Sequence, residues 1–458
     1  MIDAAIISKL KTILGSSALI ADPETVEKYS NDALTPARAF SAQPLLHHTA
    51  DLVVKPNDTH QVSEIVKVAS EHRIPIIPYG GGTGVMGAVV PLRSGIIIDL
   101  GDMNRILHVD RLSRTVTVQA GTLLKNLATT LDNHGLLLGH DPWSVPIATV
   151  GGTISTNGVG YRAASVGPMG SQVIALEVVL PSGSILATRR VPKYSSGPNL
   201  NQLFIGSEGT LGVITNATLR VLEQPEERLF STFRFPTFEL GFNSINSMFG
   251  IGLRPSVVDL TEDFEGVHLY MVFEGYREQV EAQQCRSSMI CNLNKGRDLG
   301  PTEAMIYWDT RYQIAEQYKN SVTDSSRTEI WNRQSKEFDY LHIALPASTI
   351  LEYRKRVDKL LNQYDIRVTE YAVWTAPELF SMVLVPGNLT KRGDLQLAVD
   401  QALMLAQDMG GIMEYCHGVG IKLAHLLARE MGLGQRIVSD IKQVLDPYNI
   451  MNPGKLGL

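Results

Sequence analysis

The stretch Pro78-Tyr79-Gly80-Gly81-Gly82-Thr83-Gly84-Val85-Met86-Gly87 holds four glycines in the five positions 80–84. A backbone so free of Cβ atoms can take positive φ and bring successive N–H groups against a ligand. N–H groups in that geometry form a nest for an anion such as a pyrophosphate. The spacing is not the G-x-G-x-x-G of a Rossmann turn, and no Lys-Ser/Thr follows as in a Walker loop. Taken alone, the stretch fits either a phosphate cradle or a glycine-rich turn with no ligand. Two segments of similar character follow. Residues 139–162 begin Gly-His-Asp-Pro-Trp-Ser and continue from Ala148 through Thr149, Gly151, Gly152, Ser155 and Asn157 to Tyr161-Arg162, rich in small polar residues and poor in large apolar ones. That composition suits close backbone approach to a polar ligand, or a long irregular surface loop. The third segment carries Gly206-Ser207-Glu208-Gly209-Thr210-Leu211-Gly212-Val213-Ile214 between apolar runs. A long ligand must be clasped at several points, so three such turns say more together than any one alone.

The elements that position these turns follow from periodicity. Asp51 to Pro56 reads as a strand. A helix over 60–72 carries Val62, Ile65, Val66, Val68 and Ala69, and a strand over 74–77 feeds the glycine loop. Further strands fall at 94–100, 115–121 and 173–180, with a helix over 123–134 stopped by Gly135. Residues 1–30 read as helical, with Ile6, Ile7, Leu10, Leu14 and Leu19 as the apolar positions. Later in the chain, a strand over 267–273 mixes with helices over 279–288 and 348–364. His108 reads as a surface or turn residue.

Composition bounds the function. A chain of 458 residues with 44% hydrophobic and 19% charged residues is globular and too long for one ordinary core. A net charge of −6 with no long basic run argues against nucleic acid as a partner. No apolar run is long enough to span a bilayer. The first residues read as an amphipathic helix rather than a signal peptide. Cys285, Cys291 and Cys416 show no C-x-x-C spacing, which points to a reducing, cytoplasmic setting with no iron–sulfur cluster.

The three turns together resemble the flavin-binding domain of the vanillyl-alcohol-oxidase family, the p-cresol-methylhydroxylase (PCMH) type. The Gly-Ser-Glu-Gly-Thr-Leu-Gly string is the most diagnostic part, and the resemblance covers about 45–225 and returns at the C-terminus. It implies an α+β architecture: a two-part FAD-binding domain over 1–224, an inserted α+β cap over 225–406 that selects substrate, and a segment over 407–458 returning to the flavin. It also implies that FAD lies against Pro78, Tyr79, Gly80, Gly81, Gly82, Thr83 and Gly84, then Asp141, Pro142 and Ser144. Thr149, Gly151, Gly152, Ser155 and Asn157 would contact it next, followed by Glu208, Gly209, Gly212, Val213 and Ile214. Some members bond FAD through a histidine in or near the first loop; Thr83 with no histidine beside it implies noncovalent FAD.

The C-terminal string Glu414-Tyr415-Cys416-His417-Gly418-Val419-Gly420 resembles the site of the D-lactate and glycolate dehydrogenase branch. When a hydride leaves a carbinol carbon, the hydroxyl proton must go to a base, and a histidine near neutral pKa is the usual one. His417 is the candidate, against the alternative of a buried histidine bonded to backbone. Tyr415 and Glu414 would orient it or hold substrate. His140, Tyr161, Arg162 and Lys422 are candidates to line the substrate side, Arg162 because guanidinium grips a carboxylate in bidentate fashion. Arg162 and Lys422 could equally be ordinary solvated residues.

Two departures bear on the substrate. Where the dehydrogenase branch often carries the metal motif His-x-Gly-Asp-Gly-Asn-x-His, this chain reads Val383-Leu384-Val385-Pro386-Gly387-Asn388-Leu389-Thr390, so no metal is expected. The alkyl-glycerone-phosphate synthase branch matches better at 191–199. It has three histidines where this chain has Tyr415-Cys416-His417, and an arginine where this chain has Asp259, an acid that would repel a phosphate. The expectation is hydride transfer from a 2-hydroxy acid to FAD. The alternatives are a transferase like alkyl-glycerone-phosphate synthase and a flavin subunit that passes electrons to a separate partner. A homo-oligomer is compatible with each.

Overall fold

The computed structural model describes residues 2–324, 329, 336–391 and 393–458. The architecture is α+β, built on three principal sheets. In the first, the strand Ile96–Asp99 lies between Leu52–Val54 and Ile76–Tyr79, parallel to both. Its side chains Ile96, Ile97 and Ile98 are wholly buried, as expected of a central parallel strand covered on both faces. The helix Thr59–His72 makes the crossover to Ile76–Tyr79. Asp58 caps it by accepting from Gln61 N at 2.8 Å, and its apolar residues face the core as their spacing predicts.

The reading of 1–30 as one helical stretch is corrected. A helix over Ala4–Leu14 ends at Gly15, whose φ of +83° breaks the helix while its N–H returns to Lys11 O. Leu19–Ile20 then pairs antiparallel with Val53 and Val54. A second helix, Pro23–Tyr29, starts with proline in its first turn and Asp22 as its cap. Gly15 and Pro23 were the available signals.

The second sheet has five antiparallel strands in the order Ile106–Asp110, Thr115–Gln119, Val213–Arg220, Val173–Val179, Ile185–Ala187. His108 is exposed on its edge strand. This sheet and the first share one continuous apolar core.

The third sheet has seven strands, all antiparallel, drawn from 227–386. Its order is Arg297–Gly300, Glu227–Phe235, Gly266–Gly275, Val257–Asp263, Ile366–Trp374, Leu379–Pro386, Asp339–Ala344. The helices Phe238–Gly250, Arg277–Leu293, Ile350–Gln363 and Asp394–Asp408 bury their apolar faces in a second core with it. The chain then returns to the first sheet. Ile76 N donates to Ile450 O at 2.7 Å and Asn452 N to Ile76 O at 2.8 Å, so the last segment runs beside the strand that feeds the glycine loop. Among the described residues, no helix is long and apolar enough to cross a membrane.

Candidate active site

The strand Ile76–Tyr79 delivers the chain into the glycine loop, which is pressed against 147–149. A Cβ at Gly80 would stand 2.4 Å from Thr149 Oγ1, and one at Gly81 would stand 2.2 Å from the Ile147 carbonyl oxygen. Glycine is what allows the two stretches to touch. The segment 139–162 is not irregular throughout: Val150–Thr156 is a short helix, capped by the Thr149 side chain, which accepts from Gly152 N at 3.3 Å. Gly151 is required for a packing reason, since a Cβ there would meet the Cβ of Ala120 at 2.7 Å.

Between the loop, this helix and the turn at 208–214 lies a cavity of about 1160 Å³, open mouth included. Residues 78–84 line it, as do Pro142, Ser144, Thr149, Gly151, Gly152 and Ser155, and so do Glu208, Gly209, Gly212 and Ile214. His140 and His417 complete the wall. His140 is buried, and neither ring nitrogen has a hydrogen-bond partner among the described residues. Burial pushes its pKa down to about 3, so the ring is neutral and leaves one donor and one acceptor unmet at the cavity wall. A cavity lined by glycines from three separate turns, with an orphaned imidazole on its wall, fits a dinucleotide.

Glu208 lines the cavity and also braces it. It sits at φ +50°, and its carboxylate accepts from Val419 N at 2.5 Å and from Gly420 N at 3.0 Å. Burial holds its carboxyl above the ordinary range, the two amides opposing. The Gly-Ser-Glu-Gly turn therefore fixes the loop after His417. Glu208→Ala leaves two buried amides without a partner, at about 1–3 kcal/mol each. A lower melting temperature of the FAD-loaded protein is expected; an unchanged one would mean the two turns are not coupled.

His417 follows from a compact turn. Glu414 Oε1 accepts from Cys416 N at 2.7 Å and His417 N at 2.9 Å, and lies 3.5 Å from His417 Nδ1, a charge contact at the limit of hydrogen bonding. Burial opposes a charge on the ring, but the Cys416 sulfur and the Glu414 carboxylate outweigh it and hold the pKa well above the ordinary histidine value. Burial likewise opposes the charge on Glu414, and His417 with the backbone donors brings its carboxyl below the usual range. Two rings from the seven-stranded sheet close the other side. The His342 centroid is 4.6 Å from that of His417, and the Tyr340 centroid 5.7 Å.

Several residues expected at the ligand are placed elsewhere. Arg162 is buried and engaged, Nη1 lying 2.9 Å from Asp141 Oδ2 and Nε 2.7 Å from Glu274 Oε2. Asp141 is held further by Arg311 Nε at 3.2 Å and by the Tyr312 hydroxyl, and does not line the cavity. The Arg311 guanidinium stacks 3.6 Å from the Trp308 ring centroid. This cluster fastens the segment 141–162 to the third sheet. Lys422 is 1% exposed, with Nζ 3.0 Å from Asp339 Oδ2, whose other oxygen takes Arg38 Nε at 2.6 Å. Tyr161 donates its hydroxyl to Arg311 O at 3.2 Å, and Tyr415 pairs its own with Ser381 Oγ at 2.8 Å. Asn157 ends the short helix at φ +51° and accepts from Gly170 N, while Val213 is buried in the second sheet. Asp339, Arg38, Glu274, Arg311 and His342 carried no local signal; their partners on other elements lie from 39 to over 300 positions away, as in His342 with Ser381 and Arg38 with Asp339, 301 residues apart.

Asp259 is buried and takes hydrogen bonds from the Tyr307 hydroxyl at 2.7 Å and Thr261 Oγ1 at 2.8 Å. Burial raises its carboxyl pKa. Among the described residues no group of three or more His, Cys, Asp or Glu is arranged to hold a metal ion.

The fold and cavity define the class, a PCMH-type FAD-binding protein. The structure of p-cresol methylhydroxylase with substrate bound superposes with a TM-score of 0.77 at 18% identity, over 99% of this chain and 96% of that one. A structure of alkyldihydroxyacetonephosphate synthase gives 0.81 at 20%, over 100% and 86%. The sequence matches the FAD binding domain over residues 50–189 and the C-terminal domain of FAD linked oxidases over residues 247–456. It is 32% identical to a D-lactate dehydrogenase of Archaeoglobus fulgidus, over 88% of this chain and 91% of that protein. It is 38% identical to the alkyldihydroxyacetonephosphate synthase of Caenorhabditis elegans, over 89% and 76%. The chain belongs to the FAD-linked oxidase family and is an FAD-dependent oxidoreductase.

Proposed function

We propose that the chain oxidises the carbinol carbon of a 2-hydroxy acid of the D-lactate, glycolate or 2-hydroxyglutarate kind, with His417 as the base. FAD supplies the hydride acceptor when bound. The loop at 80–84, the turn at 149–155 and the turn at 208–214 hold it without a covalent bond, there being no histidine beside Thr83. His417 takes the hydroxyl proton from the substrate as the hydride leaves. Glu414 stabilises the imidazolium that results, as a carboxylate does for a histidine base. Arg162 and Lys422 act through Asp141 and Asp339 to set the walls rather than by touching substrate. The observation that carries this reading is His417 on the cavity wall with Glu414 behind it. A cytoplasmic setting is part of the reading, in keeping with three free thiols.

The base works only when neutral. A raised pKa keeps His417 protonated at mildly acidic pH, so the rate of flavin reduction should rise with pH and level off above a midpoint higher than 6.5. Linkage gives the stability sign: a raised pKa stabilises the fold below the unfolded value, and that contribution is lost as pH rises through the folded one. Anaerobic stopped-flow across pH 5–9 checks the first; a flat profile, or a rate falling with pH, would contradict it.

The 38% identity to the C. elegans synthase favours a second reading, an FAD transferase. Where that branch carries an arginine this chain has the buried Asp259, bonded to hydroxyls and to no cation among the described residues, so the cation that would hold a phosphate is missing there. Bleaching of the flavin band by D-lactate supports the dehydrogenase and excludes the transferase. Full turnover by the chain alone would likewise count against a subunit that needs a separate electron-accepting partner.

A further inference from the structure

The seven-stranded sheet brings three polar side chains together behind His417. Ser381 Oγ lies 2.8 Å from the Tyr415 hydroxyl and 2.7 Å from His342 Nδ1. The His342 ring lies 4.6 Å, centroid to centroid, from that of His417, with the planes 41° apart. Tyr415 N also donates to His342 O at 2.9 Å, so the turn that carries His417 is bonded to the strand that carries His342. We propose that Tyr415, Ser381 and His342 form a one-way hydroxyl–imidazole chain that fixes His342 as a single neutral tautomer, making it the positioning residue for His417.

The contacts alone allow either direction, and the acidity of the two hydroxyls selects one. Ser381 has one hydroxyl proton and two polar neighbours. The phenol is the more acidic hydroxyl, so Tyr415 donates to Ser381 and Ser381 donates to His342 Nδ1. The proton of His342 is then on Nε2. The ring stays uncharged: burial and the nearby His417 push its pKa down to about 3. Two cationic imidazoles at this separation would repel, so a neutral His342 lets His417 gain a proton while the tilted rings stay in contact. No proton passes between the two rings in this arrangement. His342 acts by holding the acceptor nitrogen of His417 toward the cavity, and small misplacements of a reacting group are costly.

The inference rests on His417 being the base, and the two can fail separately. The test uses FAD-loaded protein labelled with 15N in histidine, with the His342 and His417 signals assigned by His342→Phe and His417→Ala. The expected wild-type spectrum shows His342 neutral with its proton on Nε2 from pH 5 to 8. Ser381→Ala should turn it into a mixture of tautomers and move the His417 signal, and Ser381→Thr, which keeps the hydroxyl, should restore both. In anaerobic mixing with D-lactate, Ser381→Ala should slow flavin reduction about tenfold to a hundredfold with the substrate half-saturation unchanged. A wild-type His342 protonated on Nδ1, or a Ser381→Ala spectrum identical to wild type, would overturn the chain. If His417→Ala reduces its flavin at the wild-type rate, the base reading fails instead, whatever the nitrogen spectrum shows.

Discussion

His417→Ala should retain FAD and lose about 10²–10⁴-fold in the rate of flavin reduction by substrate, the usual worth of a positioned general base. Retention is expected because the cradle at 80–84, 149–155 and 208–214 does not depend on the imidazole. The loss is expected because, among the described residues, the other two imidazoles near His417 are too weak as bases to replace it. His140 is held neutral with a pKa near 3, and His342 is likewise too weak a base to take the proton near neutral pH. Glu414 would remain, tied to the amides of residues 416 and 417. The measurement is single-turnover bleaching of the flavin band under anaerobic conditions. A variant that bleaches at the wild-type rate removes His417 from the chemistry.

Gly81→Ala should yield protein that folds but holds FAD weakly. The new methyl would stand 2.2 Å from the Ile147 carbonyl oxygen, and a backbone atom cannot swing aside as a side chain can. Either the loop or the segment 147–149 must move, and both line the cavity. Overpacking of this kind costs about 1–3 kcal/mol, which corresponds to roughly fivefold to a hundredfold or more in affinity. Gly250→Ala is the control, since nothing lies within 4 Å of a Cβ there. The flavin-to-protein absorbance ratio after purification, followed by titration with FAD, reads the effect. Equal FAD affinity in the Gly81 and Gly250 variants would show that the close approach has no part in binding.

Which parts of this site were legible in the sequence follows from how local their causes are. The glycine loop was legible because four glycines in a row of five leave a mark in composition whatever they avoid, Gly82 answering to nearby Tyr79 and Gly80 and Gly81 to the distant 147–149. The helix Thr59–His72 and the strand Gly266–Gly275 were legible because periodicity reflects the face they bury. The helix Val150–Thr156 was hidden by its own packing, since Gly151 answers to Ala120, in the turn just after the strand Thr115–Gln119, and masks the helical pattern. Arg162 and Lys422 looked like ligand-binding cations because their partners, Glu274 and Asp339, lie 112 and 83 positions away on the third sheet. His342 sat unremarked in an alternating strand; only the pairing of Asp339–Ala344 with Leu379–Pro386 sets it beside Ser381. A buried ionic contact between distant elements leaves no spacing to read.

The most direct test of hydroxy-acid oxidation at His417 is an anaerobic mix of the FAD-loaded wild-type protein with D-lactate, glycolate and D-2-hydroxyglutarate in turn, read at the flavin absorbance band. The expected result is rapid bleaching by at least one of the three, abolished in His417→Ala. A band left unchanged by all three, in protein carrying a full complement of FAD, would contradict it.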